Sequence, residues 1–300
     1  MTNIKRISEK ISSVSSTKQI TKAMKMVATS KFGKLHSMTI SLNEFFGTIK
    51  KVIGRINLEE KDLKWSNFFN DRKTKKASFI VIGSDKGLCG AYNNNLFKFA
   101  KKNISDFKEK FPEVAISVVP IGEKSRSFFE KSNFSLKKNY VHLCTEFEME
   151  EVKKLSSFLK KEFEEKKLDK IFLIYTNLKS SSVYIPCIEQ YLPIKISDLK
   201  DNILDSNNLS VEQNQEYIFE GSKERTLSVL LPNYLDYQIY SAILNSKSSE
   251  NSSRMITMSK AVDNSESLLK DLTLKFNRGR QAIITQEISE VSSGAEFLNN

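Results

Sequence analysis

The sequence is poor in the residues that build covalently or metal-stabilised folds. Its 300 residues contain three cysteines, Cys89, Cys144 and Cys187, which are odd in number and far apart. Two histidines, His36 and His142, stand at no metal-ligand spacing from any cysteine. The pattern argues against a disulfide framework, fits a reducing cytoplasm and makes a metal enzyme an unfavoured class. We predict no catalytic, cofactor-binding or metal-binding residue.

Long apolar runs are also missing. No stretch approaches the roughly 20 consecutive apolar residues that a membrane-spanning helix needs. The first residues read MTNIKRISEK and contain no apolar core of a secretory signal. A composition of 39% hydrophobic and 28% charged residues is nevertheless ordinary for a folded globular protein.

Acidic residues are scarce at the N-terminal end. The formal net charge is +11, and residues 1–60 carry eleven Lys and Arg against four Asp and Glu. Residues 250–300 carry six against seven. A basic segment of this kind can meet nucleic acid, an anionic membrane face or acidic protein loops, and composition alone leaves the three open.

Proline is absent from both ends of the chain. The five prolines stand at positions 112, 120, 186, 193 and 232. A seven-residue apolar repeat marks each end: Ile4, Ile7, Ile11, Val14, Phe32, Leu35, Leu42, Phe46, Ile49, Ile53 and Ile56, then Met255, Met258, Val262, Leu269, Leu272, Phe276 and Ile283. Lys18, Thr21, Lys25 and Thr39 interrupt the first repeat. Such heptads predict coiled-coil helices over residues 1–60 and 232–300.

The middle of the chain has a different pattern. Short apolar runs at 77–82, 114–119 and 170–175 are of strand length, and helical patterns lie around 93–110, 125–131 and 149–167. This alternation predicts an α/β layer with a largely parallel sheet, over residues 75–220. A further strand pattern at 182–188 leads to a polar stretch at 198–216, which we expect to be a surface loop.

The predicted fold is α/β: a long antiparallel coiled coil of the two end helices with an inserted Rossmann-like α/β domain. One alternative stays open, in which both ends pack on the α/β core as ordinary amphipathic helices.

A glycine-rich turn, GSDKGLCGAYN at 83–93, imitates a phosphate-binding loop. Its spacing is neither the dinucleotide fingerprint nor the Walker A pattern, and no Lys-Ser or Lys-Thr pair follows the last glycine. We interpret it as a packing turn between a strand and a helix. Cys89 within it is predicted to be structural, since neither histidine stands in a recognisable catalytic context.

Three segments resemble the gamma subunits of F-type rotary ATPases. These are Thr17–Lys31 (TKQITKAMKMVATSK), Ser84–Phe97 (SDKGLCGAYNNNLF) and Arg254–Gly294, which contains RMITMSKAVDN and ITQEIS. They stand in the family's order and at the matching ends of the chain. Together they cover about a quarter of the residues closely, and the rest is similar in pattern only.

The resemblance implies a non-catalytic central shaft inside a hexameric ring of alpha- and beta-type nucleotide-binding subunits, which couples ATP hydrolysis or synthesis to rotation. It also implies an epsilon-type subunit and a membrane rotor ring as partners, no nucleic acid, and a peripheral location at the cytoplasmic side of the cell membrane.

The matched segments also imply contacts with the ring, at Lys18, Lys22, Met24, Lys25, Arg254, Arg280, Gln281 and Thr285. Lys18, Lys22 and Lys25 follow an i, i+4, i+7 course and form one basic stripe, which faces either acidic ring loops or solvent. Met24 and Met26 point to nearly opposite sides of a helix, so an outer sleeve is expected to cover what the partner helix does not.

Some positions depart from the family pattern. Gly279 stands where the family usually has alanine, and the tail SSGAEFLNN is bulkier and more polar than usual. These departures leave open a divergent gamma-like shaft whose motor hydrolyses ATP for other mechanical work, such as bacterial gliding. More remote alternatives are a basic coiled-coil protein that binds nucleic acid and a nucleotide-binding enzyme built on the α/β domain.

Overall fold

The computed structural model describes residues 2–56, 67–132, 134–137, 148–195 and 223–298. The chain divides into two compact units. The first unit, called the helix pair here, comprises Met1–Ser30 and Arg254–Asn300. The second unit, called the body, comprises Lys31–Ser253. The predicted surface loop at 198–216 lies outside the described residues, as do His142 and Cys144.

Two long helices contribute residues to both units. Helix α1 spans Thr2–Arg55 and helix α5 spans Lys223–Leu298. Helix α5 begins before Pro232, where the sequence placed its start. Proline inside a helix lacks the N–H that would reach the carbonyl one turn earlier, and its ring crowds that carbonyl. Leu227 and Leu231 are buried in the body's core, and this burial outweighs the missing hydrogen bond.

The helix pair is antiparallel, as predicted. Residue numbers rise along α1 while those of their partners fall along α5: Ile4 lies against Gly279, Lys18 against Glu266 and Lys25 against Ser259. The predicted heptad residues of this unit form the seam, in which Met258 is buried. Ala28, which the prediction did not include, is buried as well. The other members are half-buried: Ile4, Ile7, Ile11, Val14, Met255, Val262, Leu269, Leu272, Phe276 and Ile283.

The body is built on a five-stranded sheet of order β3-β2-β1-β4-β5. Its strands are β1 (Lys76–Ile82), β2 (Ala115–Ile121), β3 (Ser135–Leu136), β4 (Lys170–Ser180) and β5 (Val183–Leu192). All neighbouring pairs are parallel except β4 and β5, which form an antiparallel hairpin. The largely parallel α/β sheet predicted from the alternating pattern is confirmed.

Helices cover both faces of this sheet. Helix α2 (Tyr92–Lys110) and helix α3 (Glu123–Glu130) pack on one face, and helix α4 (Met149–Glu164) packs on the other. Along β1, Phe79 and Val81 enter the first core, which lies between the sheet and helices α2 and α3. Ile80 and Ile82 enter the second core, which lies between the sheet and helix α4. Burial on both faces explains why this strand is a continuous apolar run instead of an alternating one.

The second core also contains parts of the two long helices. Ile53 and Ile56 at the end of α1 are fully buried in it, together with Leu235, Ile239 and Ile243 of α5. The open alternative, end helices packed on the α/β core, therefore describes the portions of α1 and α5 that belong to the body. The coiled-coil prediction describes the portions in the helix pair.

An ion pair fixes the strands β1 and β4 at their first residues. The Arg72 Nε donates to Asp169 Oδ1 at 2.7 Å, and Asp169 Oδ2 accepts the backbone N–H groups of Lys75 and Lys76 at 2.8 and 2.9 Å. Arg72 also donates to the carbonyls of Phe163, in α4, and Leu168, after α4, and it stacks on the ring of Phe163. Burial alone would raise the pKa of Asp169, but these hydrogen bonds and the guanidinium charge outweigh it and lower the pKa.

Substituting Asp169→Asn should destabilise the body by about 2–4 kcal/mol at pH 7, because Arg72 and two backbone N–H groups lose a buried charged acceptor. The lowered pKa means that the carboxylate's contribution is fully present above the pKa of an unfolded aspartate, about 3.9. It is lost as the pH falls through the folded value. Urea unfolding at pH 7 and in acid should show the difference between wild type and variant shrinking in acid.

The matched control for this prediction is Asp263→Asn, which removes an exposed carboxylate. It should change the free energy of unfolding by less than about 0.5 kcal/mol. A wild-type unfolding curve for Asp169→Asn would show that the pair does not fix the strands.

Candidate functional site

The helix pair carries exposed apolar side chains on its outer faces. On α1, Ile20, Met26 and Val27 are each more than half exposed. On α5 the exposed apolar residues of this unit are Leu268, Leu274, Ile284, Ile288 and Val291. Two helices can bury only one stripe of each against the other, so these residues face outward. Exposed apolar side chains in this number on one helix pair indicate a surface for another protein.

Met24 and Met26 behave as their spacing predicts. Met24 is half-buried toward the seam, whereas Met26 is 59% exposed. Two residues apart on a helix, they point about 200° from each other. This segment of α1 therefore offers apolar side chains to two neighbours at once, one of which is α5.

The three lysines do not form one outward stripe. The Nζ of Lys18 lies 2.9 Å from Glu266 Oε1, and the Nζ of Lys25 donates to Ser259 Oγ at 3.0 Å. Both lysines occupy heptad positions, so their aliphatic stems run along the seam and their charged ends reach α5. The hydrogen bond and the charge of Lys18 lower the pKa of Glu266. Lys22 alone of the three is exposed.

Three of the four predicted residues of α5 lie near the exposed apolar ones, and Arg254 lies farther back along the helix. Arg254 is half-buried, and Arg280, Gln281 and Thr285 are exposed. The Thr285 hydroxyl donates to the Gln281 carbonyl of the same helix at 2.9 Å. At 3.6 residues per turn, one outer arc holds the residues that follow: Arg280, Gln281, Ile284, Thr285, Ile288 and Val291. We call this group the outer arc.

The glycine-rich turn of the body is a packing turn. Gly83 follows β1, and its N–H donates to the Ile121 carbonyl at the end of β2, 2.9 Å away. A Cβ at Gly83 would lie 2.2 Å from Ser125 Oγ and 3.2 Å from a Phe97 ring carbon. Gly122 has φ +90°, and a Cβ there would lie 2.7 Å from the Gly83 carbonyl oxygen. These glycines let two strand ends approach each other.

The carboxyl edge of the sheet, where open α/β folds bind their ligands, is occupied by α5. Ser246 of α5 donates to the Ile82 carbonyl that ends β1, at 3.2 Å. Ser253 donates to the Cys89 carbonyl inside the glycine-rich turn, at 2.6 Å. The Cys89 thiol is buried and lies 3.3 Å from the Asn93 side-chain nitrogen, as a structural cysteine would. A nucleotide would have to displace the helix, which argues against a nucleotide-binding enzyme.

Comparison with known proteins identifies the family. A family profile described as ATP synthase matches residues 3–298. The chain is 36% identical over 299 residues to an ATP synthase gamma chain of Amoebophilus asiaticus, with both chains fully covered. It belongs to the ATP synthase gamma-chain family. The predicted family and the predicted role as a non-catalytic central shaft are confirmed.

Two solved structures share the fold. The rotor of the Euglena gracilis mitochondrial ATP synthase aligns with a TM-score of 0.62 at 14% identity, over 94% of this chain and 99% of that one. The central stalk and c-ring structure of the Tetrahymena thermophila mitochondrial ATP synthase aligns with a TM-score of 0.56 at 23% identity, over 81% and 99%. These comparisons give no support to the nucleic-acid-binding or mechanical-work alternatives.

The sequence did not predict the hydroxyl contacts that α5 makes with the body of this gamma chain. Residues 245–253 read NSKSSENSS and are buried except for Lys247, which is half-buried. A run of small polar residues within a long helix was the available signal, because a solvated helix favours longer charged residues. A heptad pattern depends only on apolar positions, so it gives no sign of these polar contacts.

Gly279 packs against Ile4 in the seam of the helix pair. A Cβ at this position would lie 3.2 Å from Ile4 Cγ1 and 3.3 Å from its Cδ1. Substituting Gly279→Ala should nevertheless stabilise the helix pair by about 0.5–1 kcal/mol, because Ile4 can yield by changing its rotamer and alanine favours the helix. Hydrogen exchange of the amides at 272–286 measures the change.

The control for that substitution is Gly33→Ala, at an exposed helical glycine where a Cβ would meet no atom within 4 Å. It should stabilise α1 by a similar amount. Faster amide exchange around position 279 in Gly279→Ala, with slower exchange around position 33 in the control, would show that Ile4 cannot yield.

Gly83→Ala should destabilise the body by roughly 2–4 kcal/mol, because the new Cβ overlaps Ser125 Oγ and crowds Phe97. Ser125→Gly removes the closer of these contacts and should recover part of the loss in the double variant. Urea unfolding of the two single variants and the double variant measures the coupling. Strictly additive effects would contradict the proposed overlap.

Proposed function

We propose that the helix pair turns inside a hexameric ring of alpha- and beta-type nucleotide-binding subunits. The observation that carries this proposal is the exposed apolar exterior of the helix pair, on α1 and α5 alike. Residues with this exposure need a surrounding partner, and a ring supplies one on every side. The body binds an epsilon-type subunit and a membrane rotor ring; the Tetrahymena thermophila central stalk of similar fold was solved together with a c-ring.

The outer surface of the helix pair suits a part that moves against its partner. Apolar contact is non-directional, so it holds the pair within a sleeve at many angles of rotation. The exposed charges of Lys22 and Arg280 and the neutral amide of Gln281 add hydrogen bonds that form and break as the pair turns. Lys18 and Lys25 serve chiefly to join α1 to α5, since both bond across the seam.

Met24, Arg254 and Thr285 complete the proposed ring contacts. Met24 and Arg254 are half-buried, so each contacts a neighbour within the chain and keeps part of its surface for the ring. Thr285 lies on the outer arc beside Ile284 and Ile288.

The complex is membrane-associated. We place this chain at the cytoplasmic side of the cell membrane as a peripheral subunit. In the described part of the chain, no helix combines the length and the apolar character of a membrane span.

The outer arc provides the test. Replacing both Ile284→Asn and Ile288→Asn should weaken binding to the ring at least about 100-fold, because burying each isoleucine contributes about 1.5–3 kcal/mol. The folded stability should change little, since both side chains are exposed. Size-exclusion chromatography with purified alpha and beta subunits, together with the ATPase rate of the assembled fraction, measures the effect.

Val229→Asn is the matched control, because Val229 lies on the same helix and is 60% exposed. The control should assemble like wild type. If the double variant also assembles like wild type, the outer arc does not face the ring. If the wild-type chain itself fails to join alpha and beta subunits, the proposed function is wrong.

A further inference from the structure

Four serines of α5 contact the carboxyl edge of the sheet through their hydroxyls. Ser246, Ser249 and Ser253 donate to the carbonyls of Ile82, Thr176 and Cys89, at 3.2, 3.2 and 2.6 Å. Ser252 donates to the Ser181 carbonyl in the turn between β4 and β5. We call these four serines the hydroxyl joint. Its members are 2% exposed or less, so the bonds are shielded from water.

Two tyrosines approach the joint from the body's side. The Tyr92 hydroxyl of α2 lies 3.1 Å from the Ser246 carbonyl oxygen and 3.2 Å from its Oγ. The Tyr184 hydroxyl of β5 lies 2.9 Å from Ser253 Oγ. The joint therefore connects α5 with β1, β4, β5, α2 and the glycine-rich turn.

The opposite side of α5 is held by α1. The hydroxyls of Thr39 and Ser248 lie 2.9 Å apart, and Ser241 Oγ lies 3.2 Å from Asn43 Oδ1. Polar contacts therefore surround this part of α5. The earlier part of α5 contacts the body mainly through apolar packing, as at Leu227, Leu235 and Ile243. Its buried carboxylate, Asp236, accepts from Lys160 Nζ at 2.8 Å and from Ser156 Oγ.

The two kinds of contact resist different motions. Apolar packing opposes separation but has little directional preference. Hydrogen bonds weaken steeply when the donor turns away from the acceptor. A shift of α5 by one residue would turn it by about 100° and advance it by about 1.5 Å, which would break the joint's hydrogen bonds together. The joint thus opposes twisting and sliding of α5 against the sheet.

We propose that the hydroxyl joint passes torque between α5 and the sheet of the body, and that its serines are positioning residues for rotary coupling. The inference rests on the proposed function, because torque reaches α5 only if the helix pair turns within a ring. Small hydroxyl side chains suit this task, since they bring the helix close to the carbonyls and fix its angle.

The test uses the chain assembled with alpha and beta subunits. The variant Ser246→Ala, Ser249→Ala, Ser253→Ala removes the joint's contacts to Ile82, Thr176 and Cys89 while keeping the small volume. A rotation probe is attached through Lys101→Cys, at an exposed position of α2. Its angular variance during catalytic pauses should rise at least about twofold, since three of the joint's four serine hydroxyls are lost. The ATPase rate of the complex should stay within about twofold of wild type, because ring contacts are untouched.

The matched control removes three hydroxyls that bond within their own helix or the turn after it. These are Thr48→Ala, Ser132→Ala and Ser228→Ala, whose hydroxyls donate to the carbonyls of Glu44, Phe128 and Arg225. Its angular variance should match wild type. A loss of folding alone would lower the amount of assembled complex in either variant but would not widen the variance per complex.

Two results would overturn the inference. One is a wild-type angular variance in the assembled triple serine variant. If that variant does not assemble, the single substitution Ser249→Ala removes one of the joint's own bonds, the one to the Thr176 carbonyl, and a wild-type variance there has the same meaning. Failure of the wild-type chain to join the ring would instead refute the proposed function.

Discussion

The body depends on the burial of α5. This one helix has three segments of different side-chain chemistry, and each segment packs against a different part of the protein. Its first part is apolar and enters the core under the sheet, with Leu231 and Leu235 fully buried. Next come small hydroxyl side chains, which meet the carboxyl edge of the strands. From Met255 onward a heptad pattern faces α1. Each change of side-chain chemistry matches a change of neighbour, and the helix conformation is common to all three.

The occupied edge of the sheet separates fold from activity in this chain. A parallel sheet with helices on both faces has the architecture of many nucleotide-binding proteins. Here the glycines after β1 and β2 bring two strand ends together, and Ser253 bonds inside the turn that would hold a phosphate. The same architecture therefore serves as a rigid block to which a helix is attached.

Patterns with a strong physical period were predictable from the sequence. The heptad from Met255 to Ile283 repeats because every seventh residue returns to the same face, and the structure places those residues in the seam. The runs that became β1 and β4 place apolar side chains on both faces, because both faces of the sheet are covered. Charged heptad positions were less predictable. Lys18 and Lys25 could face solvent or bond across the seam, and only the position of Glu266 and Ser259 decides this.

The start of α5 could not be read from local signals either. Proline normally marks a boundary, yet Pro232 lies inside the helix because tertiary burial of its neighbours outweighs the local preference. The same holds for the hydroxyl contacts, whose partners are carbonyls of strands distant in sequence. Interactions of this kind depend on topology, which no local window contains.

The exposed apolar side chains of the helix pair favour self-association before the complex has assembled. Newly made chains present Ile20, Met26, Ile288 and Val291 to water at the same time. Until a partner covers them, these side chains can be buried against another copy of the chain, and such contacts lead to aggregation. Synthesis of this chain in excess over the subunits that cover it would therefore favour aggregation.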